Sequence, residues 1–156
     1  MATKTGTNGS NILRGTSDSD VLIGRGGADM LYGRSDADVL RGDGGGDKLF
    51  GQGGDDSLIG GNGDELLWGG TADNTFVFGK NSGEDVIADF RTGDENLIDV
   101  SAYGIKRFAD LDMDESKAGV TIDLGKSAGE SGNVNTVTLL GLDEDDLDAC
   151  DFIFVA

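Results

Sequence analysis

Asp20, Asp29, Asp38, Asp47 and Asp56 stand nine residues apart, with Asn11 one step before them and Glu65 and Asn74 one and two steps after. Side chains of this kind offer a partner only oxygen. If the chain closes one coil every 18 residues, Asp20 lies over Asp38, Asp29 over Asp47 and Asp38 over Asp56. Carboxylates stacked at the ~5 Å spacing of neighbouring strands repel one another unless a cation lies between them. An all-oxygen donor set selects a hard ion. Ca²⁺ accepts about six to eight oxygens, from carboxylates and turn carbonyls, in a flexible geometry, whereas Mg²⁺ demands an octahedron and keeps its waters. The chemistry expected of these residues is the binding of several Ca²⁺ ions between stacked turns.

What must position them is a repeat. Gly6, Gly15, Gly24, Gly33, Gly42, Gly51, Gly60 and Gly69 open eight nonapeptides that run without a gap from 6 to 77. Position eight is Leu13, Leu22, Leu31, Leu40, Leu49, Leu58, Leu67 and Phe76. Glycine in every repeat forbids long helices. The period predicts a six-residue turn followed by a three-residue strand whose middle residue points inward. Two repeats then make one coil, giving an all-β fold: a parallel, right-handed β-solenoid with two sheets around a Leu-filled interior. Turn backbones of this kind suit Gly, then Asn or Asp. That accounts for Asp18 and Asp36 at position four, which join the candidate metal ligands.

The 156 residues suffice for one domain, 1–156, with a modest core. Acidic residues number 30 against 12 basic ones, for a net charge of −18. Such a charge argues against nucleic acid or an anionic membrane as a partner. No apolar run is long enough to span a bilayer, so no membrane insertion is expected. His is absent, which excludes a Ser-His-Asp triad, an imidazole base and a His-ligated zinc. The chain is read as non-enzymatic. Self-repulsion opposes a compact state unless something neutralises the acids.

The nonapeptides resemble the GGxGxDxUx repeat of RTX (haemolysin-type) calcium-binding proteins. From residue 78 the rhythm stops. The segment FVFGKNSGEDVIADFRTGDENLIDVSAYG (76–104) is similar to the region after the repeats in serralysin-type C-terminal domains and alginate epimerase modules. The resemblance implies that 78–156 closes the roll as a β-rich cap, and that Asp85 and Asp89 supply ligands to the last calcium site. The other reading of these two is surface acids on edge strands. The final stretch, 143–156, ends in Asp151-Phe152-Ile153-Phe154 and resembles the C-terminal signal of type I secretion substrates; it also reads as a last strand packed on the roll. With no apolar stretch near Met1, this implies a bacterial protein secreted through type I machinery. The family further implies a module that folds on binding Ca²⁺ and supports secretion and stability. The alternative is a calcium-dependent adhesion or polysaccharide-binding module, as the non-catalytic part of a larger secreted enzyme.

Smaller expectations complete the reading. Strands are expected at 120–124 and 136–140 and a short helix at 105–111. Asp110–Asp114 imitates the start of an EF-hand loop, but Glu115 takes the place of its glycine and Thr121 that of its last acid, so a solvated acidic loop is expected. Cys150 is expected as a small buried apolar residue. Tyr32, Phe50 and Trp68, at intervals of 18, with Arg14 before them, form an outward ladder. The C-terminal half is expected to fold back over it; left open, the ladder is a face for carbohydrate or protein.

Overall fold

The computed structural model describes residues 1–91, 95–127 and 135–155. Its strands, in chain order, are β1 (Thr3–Thr5), β2 (Ile12–Arg14), β3 (Val21–Gly26), β4 (Met30–Ser35), β5 (Val39–Gly44), β6 (Lys48–Gly53), β7 (Ser57–Asn62) and β8 (Leu66–Thr71). They continue through β9 (Thr75–Val77), β10 (Glu84–Ile87), β11 (Leu97–Asp99), β12 (Asp112–Ser116), β13 (Gly119–Asp123), β14 (Thr136–Leu140) and β15 (Phe152–Ile153). Odd and even strands of the repeat separate into two parallel sheets. One has the order β1-β3-β5-β7-β9-β11-β15 and the other β12-β13-β14-β10-β8-β6-β4-β2.

The register is the 18-residue coil. Leu22 pairs with Leu40 and Leu40 with Leu58 in one sheet, Leu31 with Leu49 and Leu49 with Leu67 in the other. The position-eight residues from Leu22 to Phe76 are all but fully buried and form the core between the sheets. Strands β3 to β8 are six residues long, where the period suggested three. The extra length is positions one to three of the next repeat, starting at position one. Its glycine, with no side chain, stays extended and buried, so the ladder carries on through it. The turns between sheets shrink to about three residues.

Beyond the repeats the chain keeps winding. β10 pairs with β8 and β11 with β9, both parallel, so the expected continuation of the roll is present. β14 then joins β10 in parallel, and β13 and β12 add antiparallel strands. Residues 92–94 of the segment 76–104, and Ala156, lie outside the described residues.

Four local expectations need correction. Of 105–111, only Phe108–Asp110 is helical, as one 3₁₀ turn. The acids from Asp112 onward are not a loop: they form β12, paired with β13 from Asp112↔Asp123 to Ser116↔Gly119. Alternation of acids on a partly exposed edge strand hid a β pattern. Cys150 is exposed, because Asp148 caps a 3₁₀ turn (Ala149–Asp151) that turns the residue outward. Lastly, the C-terminal half extends the sheets end-on instead of folding back over the aromatic ladder. Tyr32, Phe50 and Trp68 are half-buried by stacking on each other: ring centroids lie 4.8 Å and 4.4 Å apart with planes inclined by 5° and 12°. The Arg14 guanidinium sits 5.2 Å from the Tyr32 ring centre.

Candidate metal centre

The two edges of the roll carry the position-six residues as two columns. One runs Asp20, Asp38, Asp56, Asn74; the other Asn11, Asp29, Asp47, Glu65. Every one of them except Asn11 is at least 98 % buried. A fixed hydrogen-bond pattern builds each column. The Asp20 N–H donates to Asp38 Oδ1 at 2.6 Å, the Asp38 N–H to Asp56 Oδ1 at 2.8 Å and the Asp56 N–H to Asn74 Oδ1 at 3.1 Å. On the other edge the Asn11 N–H donates to Asp29 Oδ1 at 2.6 Å and the Asp29 N–H to Asp47 Oδ1 at 2.7 Å. One carboxylate oxygen is thereby used up. The second oxygen of Asp29, Asp38, Asp47 and Asp56, and both of Glu65, are buried without any hydrogen-bond partner.

An ionised carboxylate buried this way is costly unless a cation or a proton meets it. Desolvation pushes Asp38 and Asp47 above the usual carboxylate range and Asp56 up to about 7. Glu65 and Asp85 share one buried space, and desolvation raises both. Asp20 differs: the Thr16 hydroxyl bonded to it holds its carboxyl below the ordinary value.

The glycines show where the free oxygens point. A Cβ at Gly24 would run into Asp29 Oδ2 and lie 2.8 Å from Gly42 O. At Gly33 it would meet Asp38 Oδ2 and lie 2.8 Å from Gly51 O. At Gly51 it would meet Asp56 Oδ2 and lie 2.5 Å from Gly69 O. Each cradle therefore gathers a carboxylate oxygen of one turn and the carbonyl of the next, and only glycine leaves it open. Among the described residues no three acids converge on one point, so backbone carbonyls must supply the remaining donors. A hard, oxygen-seeking ion fits this set: Ca²⁺ would be held by Asp29, Asp38, Asp47, Asp56 and Glu65 with turn carbonyls.

The other candidates fall in different places. Asp85 continues the second column, accepting from the Glu65 N–H at 3.0 Å, and keeps a buried, unpartnered Oδ2. Asp89 lies off the column and accepts from the N–H groups of Gly69 and Gly70, both at 2.9 Å. Asp18 and Asp36 are exposed at position four, outside the buried columns. Asn11 and Asn74 are satisfied locally, through Gly9 O and Ala72 O respectively. Two buried asparagines escaped the sequence pattern. Asn96 accepts from the Asn74 N–H at 2.8 Å, and buried Asn135 accepts from the Gly83 N–H at 3.4 Å. They lie past the end of the nine-residue rhythm, so no spacing announced them.

The fold is a two-sheet parallel β-solenoid edged by buried carboxylate oxygens without hydrogen-bond partners, a set that suits cations. The family of the RTX calcium-binding nonapeptide repeat matches residues 5–40 and 41–76. Residues 5–76 thus carry RTX calcium-binding nonapeptide repeats, and repeats of this family bind several Ca²⁺ ions. Its fold is similar to the solution structure of the AlgE6R2 subunit of the Azotobacter vinelandii mannuronan C5-epimerase: TM-score 0.63, 26 % identity, 97 % of this chain and 92 % of that one. The AlgE6R3 subunit of the same enzyme is similar in fold, with TM-score 0.55, 24 % identity, 96 % of this chain and 80 % of that one. No curated protein matches the chain.

Proposed function

We propose that this chain is an extracellular module whose folding is switched on by Ca²⁺, and that it leaves the cell unfolded through type I secretion. The observation that carries the reading is the set of buried carboxylate oxygens without partners in consecutive turns. Without an ion each is a desolvated charge next to another; with one, the same oxygens become ligands and the repulsion is removed. Binding free energy is then folding free energy. Low free calcium inside the cell keeps the chain unfolded, and the calcium outside folds it. Asp151–Phe154 fits an export signal by resemblance. The test is a calcium titration of the metal-free chain followed by far-ultraviolet circular dichroism. A cooperative gain of β signal is expected; a spectrum unchanged by calcium would refute the proposal.

A second reading has its own support. The outward face of β2, β4, β6 and β8 carries Arg14, Arg34 and Lys48 beside Tyr32, Phe50 and Trp68, and no acid, in a chain of net charge −18. Such a face suits an acidic polysaccharide, met through the cations and the ring edges because the ring faces stack on one another. A glycan array run with and without Ca²⁺ tests it; absence of binding in both conditions would sink it.

A further inference from the structure

The eight turns of the repeat differ in backbone. In the six from Gly24 to Asn74, position two is left-handed: Arg25 has φ 83°, Arg34 93°, Asp43 74°, Gln52 82°, Gly61 121° and Gly70 97°. Position four is left-handed in the same six, from Gly27 at 95° to Ala72 at 75°. In the first two turns neither position is, and there position two is Thr7 and Thr16. A β-branched residue resists the left-handed region, so threonine selects the other backbone.

The consequence falls on position six. The Thr16 N–H donates to Asp20 Oδ2 at 2.6 Å, and the Thr16 hydroxyl donates to the same oxygen at 2.8 Å while accepting from the Asp18 N–H at 3.2 Å. Asp20 Oδ1 accepts from the Ala2 N–H. In the first turn the Thr7 N–H donates to Asn11 Oδ1 at 2.5 Å, and the Thr7 hydroxyl accepts from Asn11 Nδ2 at 3.1 Å and from the Gly9 N–H at 3.3 Å. Each threonine hydroxyl thus sits between positions four and six, and no position-six oxygen is orphaned there. The cradle itself is present: Asp20 Oδ2 and Gly33 O converge over Gly15 as their counterparts do over Gly33.

We propose that the residue at position two decides whether a turn takes an ion. Thr7 and Thr16 close the first turn of each edge with a hydroxyl in place of Ca²⁺. The ion rows begin at Asp29 and Asp38, and Asp20 is a capping residue rather than a ligand. The left-handed position-two residues, by turning their N–H away from position six, leave its outer oxygen for the cation. This rests on the calcium reading above and fixes where it starts along the roll.

Native mass spectrometry in excess Ca²⁺ counts the ions directly. Asp20→Asn should keep the wild-type count, and Asp38→Asn should lower it. Thr16→Gly should raise it, because glycine admits the left-handed turn and frees the Asp20 oxygen. Loss of an ion from Asp20→Asn, or an unchanged count in a folded Thr16→Gly, would overturn the proposal. Should Thr16→Gly not fold, Asp20→Asn against Asp38→Asn decides alone. A wild-type chain that binds no ion would instead overturn the calcium reading and this inference with it.

Discussion

The backbone N–H of Asp38 donates to Asp56 Oδ1 at 2.8 Å across 18 residues, while Asp38 Oδ2 remains buried and unpartnered. One carboxylate thus has two separate tasks: Oδ1 ties successive coils together, here through the N–H of Asp20, and Oδ2 is left for a cation. Asp38→Ala removes both. Its calcium midpoint should rise about tenfold or more, as expected for losing a charged partner worth about 1.5–3 kcal/mol. Asp114→Ala, at an exposed acid outside the repeats, should leave the midpoint near wild type. Calcium titrations of the two variants check this; equal midpoints would mean that the column is not the metal column.

Acid should partly replace calcium. Burial raises Asp38 and Asp47, and lifts Asp56 from 3.8 to about 7. A carboxyl whose pKa is higher in the fold than in the unfolded chain binds its proton more tightly when folded. The metal-free fold therefore loses stability as pH rises from about 4 through about 7 and gains it as pH falls through the same window. In metal-free buffer the β signal should grow on acidification from pH 8 towards pH 5. With saturating Ca²⁺ the dependence should flatten and then reverse, as protons displace the ion. Circular dichroism across that window, with and without calcium, measures both arms.

The position-one glycines should be irreplaceable where they line a cradle. A Cβ at Gly33 would strike Asp38 Oδ2 and crowd Gly51 O at 2.8 Å, whereas nothing lies within 4 Å of one at Gly79. Gly33→Ala should cost about 2 kcal/mol or more, with one ion lost, and Gly79→Ala should be close to neutral. Thermal melts in Ca²⁺ separate the two.

Export and stability overlap at the C-terminus. Phe152 is 6 % exposed and packs on Phe108 at 5.6 Å between ring centres, and its strand pairs with β11. Truncation after Cys150 should thus lower stability as well as remove the proposed signal. Phe108→Ala, which removes the ring that Phe152 packs on and leaves residues 151–156 intact, supplies the comparison, at a core cost of about 3 kcal/mol. The secretion reading expects the truncated chain to stay inside cells carrying a type I exporter while Phe108→Ala is still exported. Equal export of both would leave residues 151–156 a structural strand only.

The repeat made half of this molecule legible. Glycine, acid and leucine columns at a strict interval fix the coil, the inward Leu rows and the vertical pairing of Asp38 with Asp20 and Asp56, because a solenoid turns sequence period directly into spatial neighbourhood. Past residue 78 the interval changes: Asn96 joins the first column 22 residues after Asn74, and Asn135 meets Gly83 across the cap, at spacings that no period encodes. Cys150 and β12 depart from the expectation for a similar reason: their environment depends on a 3₁₀ cap and on an edge pairing, neither of which leaves a periodic trace. The special status of Asp20 was hidden as well. It has the same residue type and interval as Asp38; Thr16 in place of Arg34 four places before it, with the backbone of positions two and four, sets the two apart.

The most direct measurement is calcium anomalous scattering from crystals grown in excess Ca²⁺. Peaks are expected beside the free oxygens of Asp29, Asp38, Asp47, Asp56 and Glu65, about 2.3–2.6 Å from each. Water or a monovalent ion between Asp29 and Asp47 under those conditions, with no anomalous signal, would contradict the account.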